Sequence, residues 1–150
     1  IMVMALGDTE LAILKRGVDP YADADYLIEA FKASRIVRLS FNMDVVEGAA
    51  AVNVFLVSPI AGEVLKMVIV NSVILATADE EFTVEIGGTP VVGLAVTHPT
   101  ASSAAGDVVV SEIASGVATA VVAKDGAIEI TKDGASTATG FGGYLEIHPI

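Results

Sequence analysis

From residue 36 to the C-terminus, apolar and polar side chains trade places at every second position, in short runs broken by glycine, proline and Asp-Gly corners. A helix buries one face with a period near 3.6, whereas an extended strand alternates with a period of two. The alternation therefore commits this stretch to half-buried strands. Val37, Leu39, Phe41 and Met43 take one side of the first strand, with Ile36, Arg38, Ser40 and Asn42 on the other. The run Ala51 to Val57 is apolar apart from Asn53, which predicts a central strand covered on both sides. After the turn Ser58-Pro59-Ile60-Ala61-Gly62, a strand over Glu63 to Asn71 points Leu65, Met67 and Ile69 one way and Lys66 the other.

Phe82, Val84 and Ile86 face inward from the next strand, and Thr83 and Glu85 outward. Gly87-Gly88 makes a tight hairpin into Val91 to Val96, where Val92, Leu94 and Val96 continue the inward face. His98 to Gly106 is a loop of small residues, followed by strands over Val108 to Ile113 and Thr119 to Ala123. Lys124-Asp125-Gly126 and Lys132-Asp133-Gly134 each read as a hairpin turn, because Asp-Gly supplies the positive φ angles such turns need. Ile128 and Ile130 point inward between them. Gly140, Gly142 and Gly143 lead into a last strand, Tyr144 to His148, with Leu145 and Ile147 on one side. About eight strands at this spacing predict an all-β, antiparallel two-sheet sandwich over residues 36–150.

Residues 1–35 differ. Gly7, Gly17 and Pro20 interrupt them, and Asp8, Asp19, Asp23 and Asp25 are turn or cap residues. Asp23 or Asp25 caps a short helix over Tyr26 to Ala33, with Leu27, Ala30 and Phe31 at helical spacing and Lys32 near its C-terminal end. So small an apolar stripe does not fold alone. The segment is an N-terminal arm, and Tyr21, Tyr26, Leu27 and Phe31 are its candidate contacts, either anchors on another subunit or packing on their own sandwich.

The chain has 150 residues, a hydrophobic share of 53% and a formal net charge of −11. Residues 51–150 hold three Lys/Arg against eleven Asp/Glu. That balance argues against phosphate contacts with nucleic acid and against anionic membranes. The acid reads mainly as a solubilising outer face. No apolar run is long enough to span a bilayer as a helix, and Ile1 to Leu6 lacks the basic flank of a signal peptide. The absence of cysteine removes disulfides, thiolate metal sites and cysteine nucleophiles.

Little chemistry is left. Asp79-Glu80-Glu81 reads as a solvated turn before a strand. Asp125 and Asp133 lack the several oxygen ligands that a calcium loop concentrates in a dozen residues. His98 and His148 each precede proline, nothing in the sequence places them together, and His148 reads as an exposed terminal residue. Ser102, Ser103, Ser111 and Ser115 have no Gly-x-Ser-x-Gly frame, and Gly140-Phe141-Gly142-Gly143 does not open onto a helix. No catalytic residue, cofactor or metal is expected, and the chain reads as a non-enzyme.

The stretch Phe55-Leu56-Val57-Ser58-Pro59-Ile60-Ala61-Gly62-Glu63-Val64 resembles the opening of small jelly-roll proteins of tailed bacteriophage virions. The likeness continues through Val70, Ala76-Thr77-Ala78-Asp79, Phe82 to Ile86 and the Gly-rich ending Tyr144-Leu145-Glu146-Ile147. It covers residues 50–150 and rests on strand rhythm and turn chemistry. It implies a capsid cement or decoration protein: a homotrimer on the outer face of the major capsid protein, with an arm locking neighbours together. The alternative is a receptor- or glycan-binding jelly roll of a head fibre or tail. A cupin-like enzyme would need a cluster of histidines that two proline-flanked ones do not build.

Overall fold

The computed structural model describes residues 35–43, 52–75, 77–134 and 140–150. The expected arm helix and the contacts Tyr21, Tyr26, Leu27 and Phe31 lie outside the described residues. The strands described below belong to the second of the chain's two units, Val37–Ile150.

Among the described residues, nine strands run in the order β1 (Val37–Met43), β2 (Val52–Val57), β3 (Gly62–Asn71), β4 (Glu80–Ile86), β5 (Thr89–His98), β6 (Val108–Glu112), β7 (Val121–Val122), β8 (Ala127–Lys132) and β9 (Phe141–Pro149). A 3-10 turn, Ala118–Ala120, precedes β7. Sheet A has the order β1-β9-β3-β6, with the two-residue β7 also on β3; sheet B has the order β2-β8-β4-β5. Every pairing is antiparallel. Setting β7 aside, first pairs with last (β1 with β9), second with second-last (β2 with β8), then β3 with β6 and β4 with β5. A long hairpin rolled across two sheets has this order, which is the jelly-roll sandwich. The expected fold class is the observed one.

The core lies between the sheets. Phe41, Met43, Met67, Ile69, Leu145, Ile147 and Phe141 from sheet A meet Phe82, Val84, Val91, Leu94, Val96, Ile128 and Ile130 from sheet B. The period-two pattern selects these residues because burying one apolar face per strand is the dominant favourable term. β9 passes very close to β3: a Cβ on Gly143 would collide with the Val68 carbonyl. The last strand therefore begins at Phe141 and carries its glycines inside it, where they let two backbones approach, and not as a lead-in before Tyr144.

Four other expectations are corrected. β2 is an edge strand rather than a central one, and its alternate residues Asn53, Phe55 and Val57 are exposed. Val92 faces out, 66% exposed, because β5 bulges opposite Val84 and Gly93 adopts φ +83°, which resets the alternation between Val91 and Leu94. The Thr119 to Ala123 segment is a 3-10 turn followed by only two strand residues. Neither Lys-Asp-Gly corner closes a hairpin, since β7 and β9 lie in sheet A and β8 in sheet B. Asp125 does take the left-handed conformation, φ +63°, but its turn is tied instead to Ser58: Asp125 N–H donates to the Ser58 carbonyl (2.7 Å) and Ser58 N–H to that of Gly126 (2.9 Å). The Gly87-Gly88 corner joins β4 to β5 as a hairpin, as expected.

Candidate functional site

Three groups of side chains stand out: a sealed ionic cluster between the sheets, a neutral outer face on sheet A, and an acidic outer face on sheet B.

The sealed cluster is built by parity. Along β4, Glu80 shares the inward side with Phe82 and Val84; along β8, Lys132 shares it with Ile128 and Ile130. Lys132 Nζ lies 3.3 Å from Glu80 Oε1, and both side chains have zero exposure. Glu80 Oε1 also accepts from Gly134 N–H at 2.7 Å. The Lys132 ammonium sits 5.6 Å from the centroid of the Phe141 ring, which meets Phe82 edge-on at 4.9 Å. His98, the cross-strand partner of Glu80, is buried, with its ring 6.0 Å from Phe141 and Nε2 3.1 Å from the Asp107 carbonyl. Asn71, opposite Phe141 on β3, donates from Nδ2 to the Val73 carbonyl (3.0 Å) and to Ser103 Oγ (3.3 Å). Charges taken out of water persist when paired, and this pair bolts β8 to β4.

The solvated-turn reading of Asp79-Glu80-Glu81 thus fails at its middle residue. Glu81 is exposed. Asp79 accepts from Thr100 N–H (2.7 Å) and Oγ1 (2.9 Å), which hold its carboxyl below the ordinary value. The signal for Glu80 and Lys132 was in the sequence: each extends an inward series by two residues. The histidines lie at different ends of the sandwich, His98 across from Glu80 and His148 across from Glu63. His148 is also not a loose terminal residue, because Nε2 reaches Glu146 Oε1 at 2.9 Å. Asp125 and Asp133 sit at opposite ends of β8. Among the described residues no three His, Asp or Glu side chains group as metal ligands, and no helix is long and apolar enough to cross a membrane.

The outer face of sheet A is ordered in rows by the strand register. Arg38, Glu146, Lys66 and Glu112 lie side by side across β1, β9, β3 and β6. Arg38 Nε donates to Glu146 Oε2 at 3.1 Å, and Lys66 Nζ lies 3.5 Å from Glu112 Oε2. Burial raises the Glu146 carboxyl, but the bonds from His148 and Arg38 outweigh it and leave it below 4.5. The next row is Ser40, Tyr144, Val68 and Val110, and the third is Asn42, Gly142, Val70 and Val108. Val108 and Val110 are 58% and 52% exposed. Beyond the charged row, Ser115 Oγ and Gly116 N–H donate to the Glu63 carboxylate and lower it.

Sheet B turns a different face outward. Glu85 and Glu129 are direct cross-strand partners, Glu81 follows along β4, and no lysine or arginine occupies the outward positions of its four strands. Glu129 accepts from Asn53 Nδ2. Beside them on β2, Phe55 and Val57 are 66% and 62% exposed. The expected arm contacts, Tyr21, Tyr26, Leu27 and Phe31, lie outside the described residues. The Val108-Val109-Val110 run was the sequence signal for the sheet A face, since three valines in one strand leave two on its outer side. The chain matches no protein-family model and no curated protein.

Proposed function

We propose that the protein is a non-enzymatic structural protein of a virion, a capsid decoration or cement protein that docks on the outer surface of the major capsid protein. What supports the reading is one contrast. Among the described residues, Glu80 and Lys132 are sealed from solvent, and Glu63, Asp79 and Glu146 are held by neighbouring backbone and side chains. Apolar side chains, meanwhile, face solvent on both sheets. A stiff sandwich with apolar outer patches works by adhesion, and repetition on a symmetric lattice multiplies modest contacts into tight attachment. The virion context itself comes from the sequence resemblance over residues 50–150. Co-sedimentation of the purified chain with shells assembled from the capsid protein of the same virus tests it: saturable binding at a fixed ratio to shell subunits is expected, and no binding at any input ratio overturns it.

Phe55 favours a second reading. An exposed aromatic ring beside the hydrogen-bonded Asn53–Glu129 pair is a surface on which a sugar ring can stack. Glycan-array binding abolished by Phe55→Ser, together with no affinity for shells, would replace the first reading with a glycan-binding tip.

A further inference from the structure

We infer that the outer face of sheet A is a two-fold self-association surface, covered by the same face of a second copy of this chain. The inference does not rest on the virion reading. It differs from the trimer that the family resemblance implies.

The argument is the order of residues along the rows. Take a two-fold axis lying in the interface, parallel to the strands and midway between β9 and β3. It sets β1 over β6 of the second copy and β9 over β3. The charged row reads plus, minus, plus, minus from Arg38 through Glu146 and Lys66 to Glu112. Reversed, as the axis demands, it reads minus, plus, minus, plus. Arg38 then meets Glu112 of the second copy, and Glu146 meets Lys66. The end members have room for this: the Arg38 and Glu112 side chains are 64% and 65% exposed, against 11% and 26% for Glu146 and Lys66.

The same operation matches shapes. Val70 falls over Gly142, the one position on these rows without a side chain, while Tyr144, whose ring carries the Arg38 guanidinium 5.1 Å from its centroid, falls over Val68, itself only 9% exposed. A Cβ at Gly142 would meet the Phe41 carbonyl oxygen at 3.6 Å and Val70 Cγ1 at 4.0 Å, ordinary contact distances, so the position is a shallow dip in the face rather than a clash. Ser40 and Asn42, short and polar, lie at the rim opposite Val110 and Val108. Face-to-face sheets keep their strands within about 30° of one another, so pairings beside the axis hold while the rim relies on the reach of arginine and glutamate. Isologous contacts of this kind require a patch to be complementary to itself under reversal; a surface built for an unrelated partner has no reason to be. Sheet B cannot serve, because Glu81, Glu85 and Glu129 would meet their own kind.

The test is the mass of the full chain in solution, read by light scattering, with charge-swapped variants. The chain is expected to have the mass of two copies, with dissociation favoured by higher salt. Glu112→Arg alone and Arg38→Glu alone each place like charges together twice per interface, so each is expected to run as a monomer. An equimolar mixture of the two variants restores both contacts and is expected to recover the two-copy mass. Val110→Asp, at a position 52% exposed, is expected to weaken pairing at least tenfold while circular dichroism stays unchanged. A wild-type monomer up to its solubility limit, a three-copy mass, or variants and mixture all indistinguishable from wild type would overturn the inference.

Discussion

Glu80 and Lys132 meet 3.3 Å apart on neighbouring strands with neither side chain reaching solvent. The pair is diagonal, since the register partner of Lys132 is Phe82. Desolvating both charges offsets much of their attraction, but removing one partner strands the other in an apolar interior. Glu80→Ala or Lys132→Ala alone is therefore expected to cost about 3–5 kcal/mol. The double replacement Glu80→Leu with Lys132→Met should cost much less than the sum of the two single changes. Urea unfolding followed by circular dichroism measures all of them. A single variant that unfolds at the wild-type midpoint would contradict the buried pairing.

Adjacent glycines in β9 separate a backbone requirement from a surface one. Gly143→Ala drives a Cβ into the Val68 carbonyl, whereas the nearest atom to a Cβ at Gly142 is the Phe41 carbonyl oxygen at 3.6 Å. Gly143→Ala is expected to lose at least about 3 kcal/mol or fail to fold, and Gly142→Ala to stay within about 1 kcal/mol of wild type. Thermal melts of the two variants decide it; equal melting temperatures would mean that β9 does not approach β3 as described.

Glu63, Glu146 and Asp79 all have carboxyls lowered in the folded state. For Glu63 the leading cause is the Ser115 hydroxyl, for Asp79 the Thr100 N–H; for Glu146 the His148 and Arg38 bonds exceed the opposing effect of burial. A depressed carboxyl stabilises the fold above its unfolded value, 4.5 for glutamate and 3.8 for aspartate, and that stabilisation disappears as pH falls through the lower folded value. Stability should therefore decline on acidification below about pH 4.5. Glu63→Gln is expected to be less stable at neutral pH and to show a shallower decline. Melting temperatures across the acid range check the sign; stability that rises on acidification through this window would refute it.

Phe55 and Val57 stand outside the core on the edge strand β2. Phe55→Ser is expected to change folding stability by no more than about 0.5 kcal/mol. If this edge contributes to adhesion, the same substitution should lower affinity for shells about tenfold, which is about 1.4 kcal/mol. Binding isotherms alongside melts separate the two effects, and unaltered shell affinity would remove the β2 edge from the docking surface.

The period-two alternation and its Gly and Asp-Gly corners were enough to establish strands and a two-sheet sandwich, because facing into or out of a sheet is a local property of each residue. Inward Phe82, Val84, Ile128, Ile130, Leu145 and Ile147 were legible for that reason. Strand order was not. Whether Lys124-Asp125-Gly126 closes a hairpin or carries the chain from one sheet to the other depends on which strands β7 and β8 pair with, and those partners are distant in sequence. Hence an apolar run such as β2 read as central although it lies at an edge, and Val92 read as inward although the bulge at Gly93 turns it out.

The sealed cluster and the two outer faces were decided by tertiary structure. Glu80 and Lys132 are hydrophilic residues next to turn signals, and only the rolled topology, which brings the end of β8 alongside the start of β4, sets them 3.3 Å apart in the interior. In the same way, Arg38, Lys66, Glu112 and Glu146 are scattered charges along the chain. They form an alternating row because four strands, distant in sequence, fall into one register. Local alternation fixes which side of a strand a residue faces; long-range pairing alone fixes which residues stand beside it.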